Sequence, residues 1–596
     1  MNEFDFGHVK LRNSNYEKHP RIKAATSASE TWVGWGTIAE RLEAAARNPR
    51  VLCVECYPGA LERSIRDALN ESLRPVEVIY TPDLLKPPAE IDRMLESVLG
   101  DDPVFGRMND IDLLQFFDES KLSPARDKAA TWKNGLLLVV GVGATLIHPK
   151  PDLLVYADMA RWEIQGRQRR DEIANLGSNN VHETASLKYK RAFFVDWRVA
   201  DRLKRELLTT IDFFLDTNTS TPKMVSGQAV RKALIQTGHS PFRVVPYFDP
   251  GPWGGHWMEE VCDLPHDAPN HAWCFDCVPE ENSLLLEFGD VRIELPAIDL
   301  TFFQAKELLG ESIYSRFGAE FPIRFDFLDT MGGGNLSLQV HPRTEYIRKH
   351  FGMAYTQDES YYMLDASADG SVYLGVKTGV NSSAMIRDLR AAQEGGPPFP
   401  AEQYVNKFPA RRHDHFLIPA GTIHCSGKGS MVLEISATPY IFTFKLWDWG
   451  RLGLNGLPRP IHLDHGVANI VWDRDTEWSR VSLINRIEPL ESGDGWTEER
   501  TGLHELEFIE TRRRWFTKIN PHNTQGTANV LNLVEGREAI VESPTGAFEP
   551  MVVHYAESFI IPAAAGAYTI RPIGESEGKK CGTIQAFVRK KDSSQI

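Results

Sequence analysis

The chain has 596 residues, 42% of them apolar and 25% charged, with a formal net charge of -15 at pH 7. At about 150 residues per domain this length predicts three or four domains of ordinary globular composition. The acidic balance argues against a nucleic-acid-binding surface as the main business, since phosphate contacts are made with Lys and Arg, while a local basic pocket for one sugar phosphate stays compatible with it. The longest apolar run, Gly135 to Ile147, falls short of the ~20 residues that span a membrane, and the start of the chain has no basic-then-apolar leader pattern. A cytoplasmic protein with no membrane partner is therefore expected. Seven cysteines in so long a chain read as reduced thiols, Cys274 and Cys277 included. The sequence does not fix an oligomeric state.

The first region, 1–240, reads as α/β. Arg50 to Glu55 has strand character, Tyr57-Pro58-Gly59-Ala60 turns the chain, and Leu61, Ile65, Leu69 and Leu73 follow at helical spacing. Further strands are expected at Leu136 to Val140 and at Leu153 to Asp158, the second followed by a helix rich in arginine, with Arg161, Arg167, Arg169 and Arg170. This order loosely resembles the P-loop nucleoside and nucleotide kinases. The Gly-x-x-x-x-Gly-Lys-Ser/Thr loop is missing, so neither its lysine nor its magnesium hydroxyl is supplied. The resemblance thus implies a kinase-like domain without kinase activity, either a scaffold or a binder of nucleotide or sugar phosphate.

From Pro241 to Cys262 prolines and glycines mark a boundary. Short strands then follow, among them Ile323 to Leu328, Leu336 to Val340, Tyr361 to Asp365, Val372 to Val376, His415 to Ile418 and Met431 to Ile435. Such a series predicts a β-sandwich or jelly roll, with an inserted helical segment between Asn381 and Lys407. Phe416-Leu417-Ile418-Pro419-Ala420 recurs as Phe559-Ile560-Ile561-Pro562-Ala563, which suggests a doubled β architecture. The first copy leads to His424; the second has no histidine to match, so 493–596 is expected to hold no metal.

In Leu336-Ser337-Leu338-Gln339-Val340-His341-Pro342 alternation puts Gln339 and His341 on one face, and Glu359 and His424 follow along the chain. Two imidazoles, a carboxylate and an amide oxygen suit a zinc ion with a position open for water or substrate. His413 and His415 read as structural or solvent-facing.

These segments resemble the type I phosphomannose isomerases of the cupin superfamily. That family reads Leu-Ser-x-Gln-Val-His-Pro, a Glu before a Tyr-rich strand ending in Asp, Pro-x-Gly-Thr-x-His, then Val-Leu-Glu, here Val432-Leu433-Glu434. The likeness covers 250–490 well, the last hundred residues more loosely and the first 240 not at all. It implies a multidomain α+β chain: an α/β kinase-like domain at 1–240, a metal-binding cupin isomerase domain at 241–492 and a second cupin-like β domain at 493–596. It implies one zinc per chain on Gln339, His341, Glu359 and His424, with Glu434 as acid/base. Lys377, Lys445 and Arg451 are the expected phosphate clamp, Lys445 standing where the family usually has Arg, which grips an oxyanion bidentately as an ammonium does not. The activity implied is interconversion of mannose 6-phosphate and fructose 6-phosphate through a cis-enediol. The alternatives are isomerisation of another sugar or sugar phosphate, or a non-catalytic sugar-phosphate sensor coupled to the N-terminal region.

Overall fold

The computed structural model describes residues 14–25, 28–45, 51–437, 440, 442–502 and 504–590. They fall into two compact units. One comprises Arg21–Thr237 with Glu281–Gln304; the other comprises the chain up to Pro20, Gly238–Glu280 and everything from Ala305 onward.

In the first unit runs such as Val51-Leu52-Cys53-Val54 and Leu137-Leu138-Val139-Val140 are buried along their whole length, as central strands of a parallel sheet must be. The strands are β1 (Thr31–Val33), β2 (Val51–Cys56), β3 (Glu77–Tyr80), β4 (Leu137–Gly141), β5 (Leu153–Asp158), β6 (Phe213–Asp216) and β7 (Lys223–Ser226), in the spatial order β1-β7-β6-β5-β2-β4-β3. The five from β3 to β6 run parallel; β7 and β1 add antiparallel edges. After β2 the chain goes to one side for β3 and β4, then crosses to the other for β5. This leaves a crevice at the carboxyl ends of the strands, where such sheets bind ligands.

The kinase likeness expected for this region finds no support. The turn from β2 into helix α1 (Glu62–Leu73) is short, and Glu62 opens the helix. The N–H groups of the glycine turn after β4 are taken by side chains of the protein itself: Val142 N donates to Glu62 Oε1 at 2.6 Å, and Gly143 N and Thr145 N donate to the Glu55 carboxylate at 2.5 and 2.8 Å. Two carboxylates thus lie where a phosphate loop would present donors and a lysine.

The second unit is built from antiparallel sheets. Its first part contains β8 (Tyr247–Asp249), β9 (Trp273–Cys277), β10 (Arg324–Asp329), β11 (Leu338–Val340), β12 (Glu359–Ala366), β13 (Ser371–Val376), β14 (Val405–Pro409), β15 (His415–Ile418), β16 (His424–Ser426), β17 (Ser430–Ser436) and β18 (Phe444–Trp447). They form a six-stranded sheet, β15-β12-β17-β10-β9-β8, and a five-stranded one, β14-β13-β16-β11-β18. The helix Ser382–Gln393, capped by Asn381 on the Ala384 N–H, occupies the long connection between β13 and β14.

The remainder contains β19 (Glu488–Gly493), β20 (Trp496–Gly502), β21 (Ile509–Phe516), β22 (Asn520–Asn523), β23 (Asn529–Glu535), β24 (Glu538–Glu542), β25 (Met551–His554), β26 (Ser558–Ile561), β27 (Ala567–Pro572) and β28 (Cys581–Val588). Its sheets are β19-β20-β21-β28-β23-β26 and β22-β27-β24-β25. Both six-stranded sheets therefore trace the same path, with β15 and β26, the two copies of the Phe-x-Ile-Pro-Ala repeat, as matching edge strands. Leu531, Leu533, Val541, Phe559, Ile561 and Ile570 fill the core of this second sandwich. All seven cysteines are buried and free. Among the described residues no helix is long and apolar enough to cross a membrane.

Candidate metal centre

The centre lies between the two sheets of the first sandwich. Gln339 sits on β11 and pairs in register with His424, the first residue of β16. His341 follows one residue after β11, while Glu359 opens β12 on the opposing sheet. Period-two alternation sends Leu338 and Val340 to the other side of β11, where both are fully buried.

Each imidazole is held by its backbone-facing nitrogen. His341 Nδ1 lies 2.9 Å from Phe442 O, and His424 Nδ1 lies 2.9 Å from Thr422 O. Carbonyl oxygens only accept, so Nδ1 carries the proton in both rings and Nε2 presents a lone pair. Those Nε2 atoms meet the two oxygens of Glu359 at 3.0 Å from His341 and 2.9 Å from His424. The Gln339 amide lies 3.2 Å from His424 Nε2.

Three fully buried side chains thus direct acceptor atoms at one point, an arrangement that only a proton or a cation relieves. Among the described residues, His341, Glu359 and His424 are the one group of His, Cys, Asp and Glu ligand atoms gathered for a metal, all within 4.8 Å of one another. Two neutral imidazoles, one carboxylate and one amide fit zinc, with its nitrogen and oxygen preference and its tolerance of an open position. Burial alone would raise the Glu359 carboxyl; positive charge on the facing His341 and His424 rings outweighs it and holds it well below the usual range.

Glu434 lies next to this group. It pairs in register with Tyr361 on β12 and Asp326 on β10. Burial, the Glu359 carboxylate and Asp326 together hold its carboxyl well above the usual range. The two neighbouring carboxyls are thus pushed in opposite directions. The Gln357 amide spans them, 2.9 Å from Glu359 Oε2 and 3.5 Å from Glu434 Oε1.

The expected phosphate clamp is only partly assembled. Lys445 pairs in register with Gln339, is half-buried and has no ion-pair partner among the described residues. Burial and the neighbouring Arg459 and Arg451 push its ammonium down to about 7. Arg451 is spent elsewhere: its Nε and Nη2 grip Asp448 Oδ1 at 2.9 and 2.6 Å, and Nη1 donates to Asn335 O. Lys377 is exposed just past β13, and its backbone N–H donates to Tyr404 O. The structure therefore brings Lys445 to the centre, gives Arg451 a bracing role on the strand beside it and leaves Lys377 at the surface.

Besides Gln357, two residues that hold the turn before His424 escaped sequence reasoning. Arg474 Nη1 donates to Pro419 O and Ala420 O, each at 2.7 Å, and to Thr422 Oγ1 at 2.5 Å, holding the turn that delivers His424. Asp358 accepts from the Ala420 N–H of the same turn at 2.8 Å. Neither belongs to a periodic pattern or a motif; their only local signal was adjacency to Glu359 for Asp358.

The second sandwich repeats the strand pairing with other side chains. Glu359 pairs with Ile418 in the first sandwich as Asn529 pairs with Ile561 in the second. Tyr361 pairs with Glu434 as Leu531 pairs with Gln585, and Gln339 with His424 as His522 with Tyr568. An amide thus replaces each carboxylate, and a phenol replaces the His424 imidazole.

Residues 34–239 match a family model described as a domain of unknown function (DUF8485). The chain is 26% identical over 217 residues to a mannose-6-phosphate isomerase of Streptococcus mutans, a match covering 36% of this chain and 63% of the relative. Part of the chain is homologous to mannose-6-phosphate isomerases. A second relative, the mannose-6-phosphate isomerase ManA of Bacillus subtilis, is 28% identical over 153 residues, 26% of this chain and 45% of that protein. The matches thus span roughly half to two thirds of these relatives' length. A crystal structure of the mannose 6-phosphate isomerase from Bacillus subtilis aligns over 58% of this chain and 99% of its own, with a TM-score of 0.46 at 18% identity.

Proposed function

We propose that this protein is a metal-dependent aldose-ketose isomerase of the cupin type that interconverts mannose 6-phosphate and fructose 6-phosphate. The observation that carries this reading is the convergence of two Nε2-presenting imidazoles, one carboxylate and one amide beside a second carboxyl with a raised affinity for protons. Gln339, His341, Glu359 and His424 would hold zinc, which would supply a positive charge to stabilise the oxyanion formed when the carbon-bound proton is lost. Glu434 is the group placed to take that proton from one carbon and return it to the other, with Gln357 fixing its carboxyl. Lys445 offers an uncommitted ammonium to the substrate phosphate, whose binding helps orient the reacting end.

Because Lys445 is an ammonium rather than a guanidinium fork, the grip on a phosphate is that of a point charge. This feature favours, as the second reading, the same reaction on another sugar phosphate.

The test is turnover of mannose 6-phosphate by the full chain, before and after chelation and with zinc restored. Loss on chelation and recovery with zinc is expected; full activity in metal-free protein would overturn the site. His424→Ala should lose both metal and turnover. Glu434→Gln should keep the metal and lose about 10²–10⁴ in kcat, the range for removing a general acid/base. Glu434→Gln with unchanged kcat would remove Glu434 from the reaction.

A further inference from the structure

The second sandwich holds a cavity of about 380 Å³, within the range of small-molecule sites. Its lining includes His522, Asn529 and Gln585, which stand at the register positions of Gln339, Glu359 and Glu434 in the first sandwich. The cavity therefore lies where the other copy of the fold places its metal centre.

Strand pairing shows which side of the sheet the wall occupies. Gln585 on β28 stands opposite the core residue Leu531 and opposite Arg512 on β21, while Arg514 stands opposite Glu498 on β20. Residues directly opposite share a face, and so do residues two apart on one strand. Glu498, Arg512, Arg514 and Gln585 thus lie on the inner face with Leu531, and all four line the cavity. Elsewhere Leu531, Leu533, Phe559 and Ile561 fill this face-to-face space with apolar groups. Placing a carboxylate, two guanidiniums and an amide there costs free energy that a sandwich built only to fold would avoid.

The hydrogen bonds fix the polarity of the wall. A guanidinium only donates, so Asn520 Oδ1 accepts from Arg514 Nη1 at 3.1 Å, and Asn520 Nδ2 donates to His522 Nε2 at 2.9 Å. Burial and Arg514 hold the His522 imidazole well below its usual range, so its one proton sits on Nδ1, 3.3 Å from Gln585 Oε1. This leaves Gln585 Nε2 as a donor with no hydrogen bond among the described residues. Glu498 Oε2 is an acceptor in the same condition, because Arg512 and Arg514 both bind Oε1. Neither atom is sealed from solvent; Gln585 keeps 8% and Glu498 3% of its surface open.

The chemistry of the wall selects the ligand. Its guanidiniums already face carboxylates: Arg514 grips Glu498 Oε1 through Nε and Nη2 at 3.1 and 2.9 Å, and Arg512 Nε donates to Glu510 Oε1 at 2.7 Å. The remaining lining cation, Lys590, is exposed and donates to Gln525 O. An anion would have to compete with these carboxylates for the buried charge. Hydroxyls both donate and accept, so they answer Glu498 Oε2 and Gln585 Nε2 together. Half-buried Trp496 and Phe587 add apolar surface to the same wall, which suits the C–H faces of a saturated ring.

We infer that this cavity binds an uncharged monosaccharide or cyclitol, whose hydroxyls donate to Glu498 and accept from Gln585, as a metal-free site separate from the metal centre. The test is isothermal titration of the full chain with mannose, fructose and myo-inositol as neutral probes and with inorganic phosphate as the anionic one. At least one neutral probe should bind saturably at one site. Gln585→Leu should weaken it about tenfold or more, and so should Phe587→Ala, which changes a half-buried position and keeps the test decisive if the first variant fails to fold. His424→Ala, which dismantles the metal centre, should leave this affinity within twofold, and zinc content should be unchanged in the two wall variants. The inference is overturned if no neutral probe binds, if phosphate binds more tightly than all of them, if binding survives both wall variants, or if His424→Ala abolishes it and so places the probe at the metal centre. Since none of these readouts uses isomerase turnover, they stand or fall apart from the reaction proposed above.

Discussion

His415 is fully buried at the start of β15, edge-on to the Tyr362 ring at 5.6 Å and against Gly502 of the second sandwich. Burial, reinforced by Arg513, pulls its imidazole down to about 3. The folded value lies below the ordinary 6.5, so the unfolded chain binds the extra proton between these two values. The neutral histidine therefore costs nothing above 6.5, and its stabilising share is lost as pH falls from 6.5 toward 3. At pH 5 the deficit is about 2 kcal/mol from this group alone. His415→Phe should remove it: comparing denaturant midpoints at pH 7.5 and pH 5, the variant should lose about 2 kcal/mol less than the parent chain. Equal losses would mean that the ring is protonated or solvated in place. The sequence left His415 between core and surface, because a lone histidine before a strand carries no sign of what will cover it. Gln339 and His341 were legible from strand alternation and motif order together, Glu359 and His424 from motif order. Gln357, in the loop ahead of β12, had neither.

At the scale of single elements, the turn from Pro419 to His424 governs the centre. Gly421 adopts φ +89°, and a Cβ there would come within 2.8 Å of Val471 Cγ2 and 3.0 Å of Asn469 O, so only glycine fits. Arg474 crosses from the far side to bind two carbonyls and the Thr422 hydroxyl, and Thr422 O in turn fixes His424 Nδ1. Arg474 is thus a positioning residue that acts through the turn. Arg474→Met keeps the packing of its stem and removes these hydrogen bonds. Zinc affinity should drop about 10- to 100-fold, as for other groups that orient metal-binding histidines, while excess zinc restores most of the turnover. An unchanged zinc affinity would show that the turn holds itself. Short apolar runs between turn signals located strands such as β12, β13 and β15 to within a residue or two, and a five-residue repeat revealed the doubling. The bracing of a turn by an arginine more than fifty residues away follows no local period, so it was invisible.

The whole molecule is assembled from stretches that sequence position does not group. Residues 14–17 belong with the sandwiches: the Tyr16 hydroxyl donates to Asp276, Glu17 N donates to Glu557 Oε1 at 2.7 Å, and Arg243 reaches both Glu17 O at 2.9 Å and Glu557 Oε1 at 2.7 Å. Conversely, Glu281–Gln304 belongs to the α/β unit. Its hairpin, Ser283–Phe288 with Val291–Pro296, completes a three-stranded sheet with Arg21–Lys23, and Asp299 shares the buried Lys204 ammonium with Asp158 at 3.0 and 2.7 Å. The Pro/Gly-rich stretch after Pro241 looked like a boundary because breakers mark the end of local structure; they do not record where a later segment returns. A fragment starting at Pro241 would lose the Tyr16 and Glu17 partners and keep Asp299 without Lys204, and each buried polar group so stranded costs about 1–3 kcal/mol. It would also expose the apolar hairpin side chains Leu284, Leu286, Ile293 and Leu295, all fully buried in the intact chain. Produced alone, 241–596 should therefore aggregate or bind a hydrophobic dye and unfold well below the full chain, which size-exclusion chromatography and thermal denaturation will read. A soluble monomer melting within a few degrees of the intact protein would instead show that the sandwiches stand without those partners.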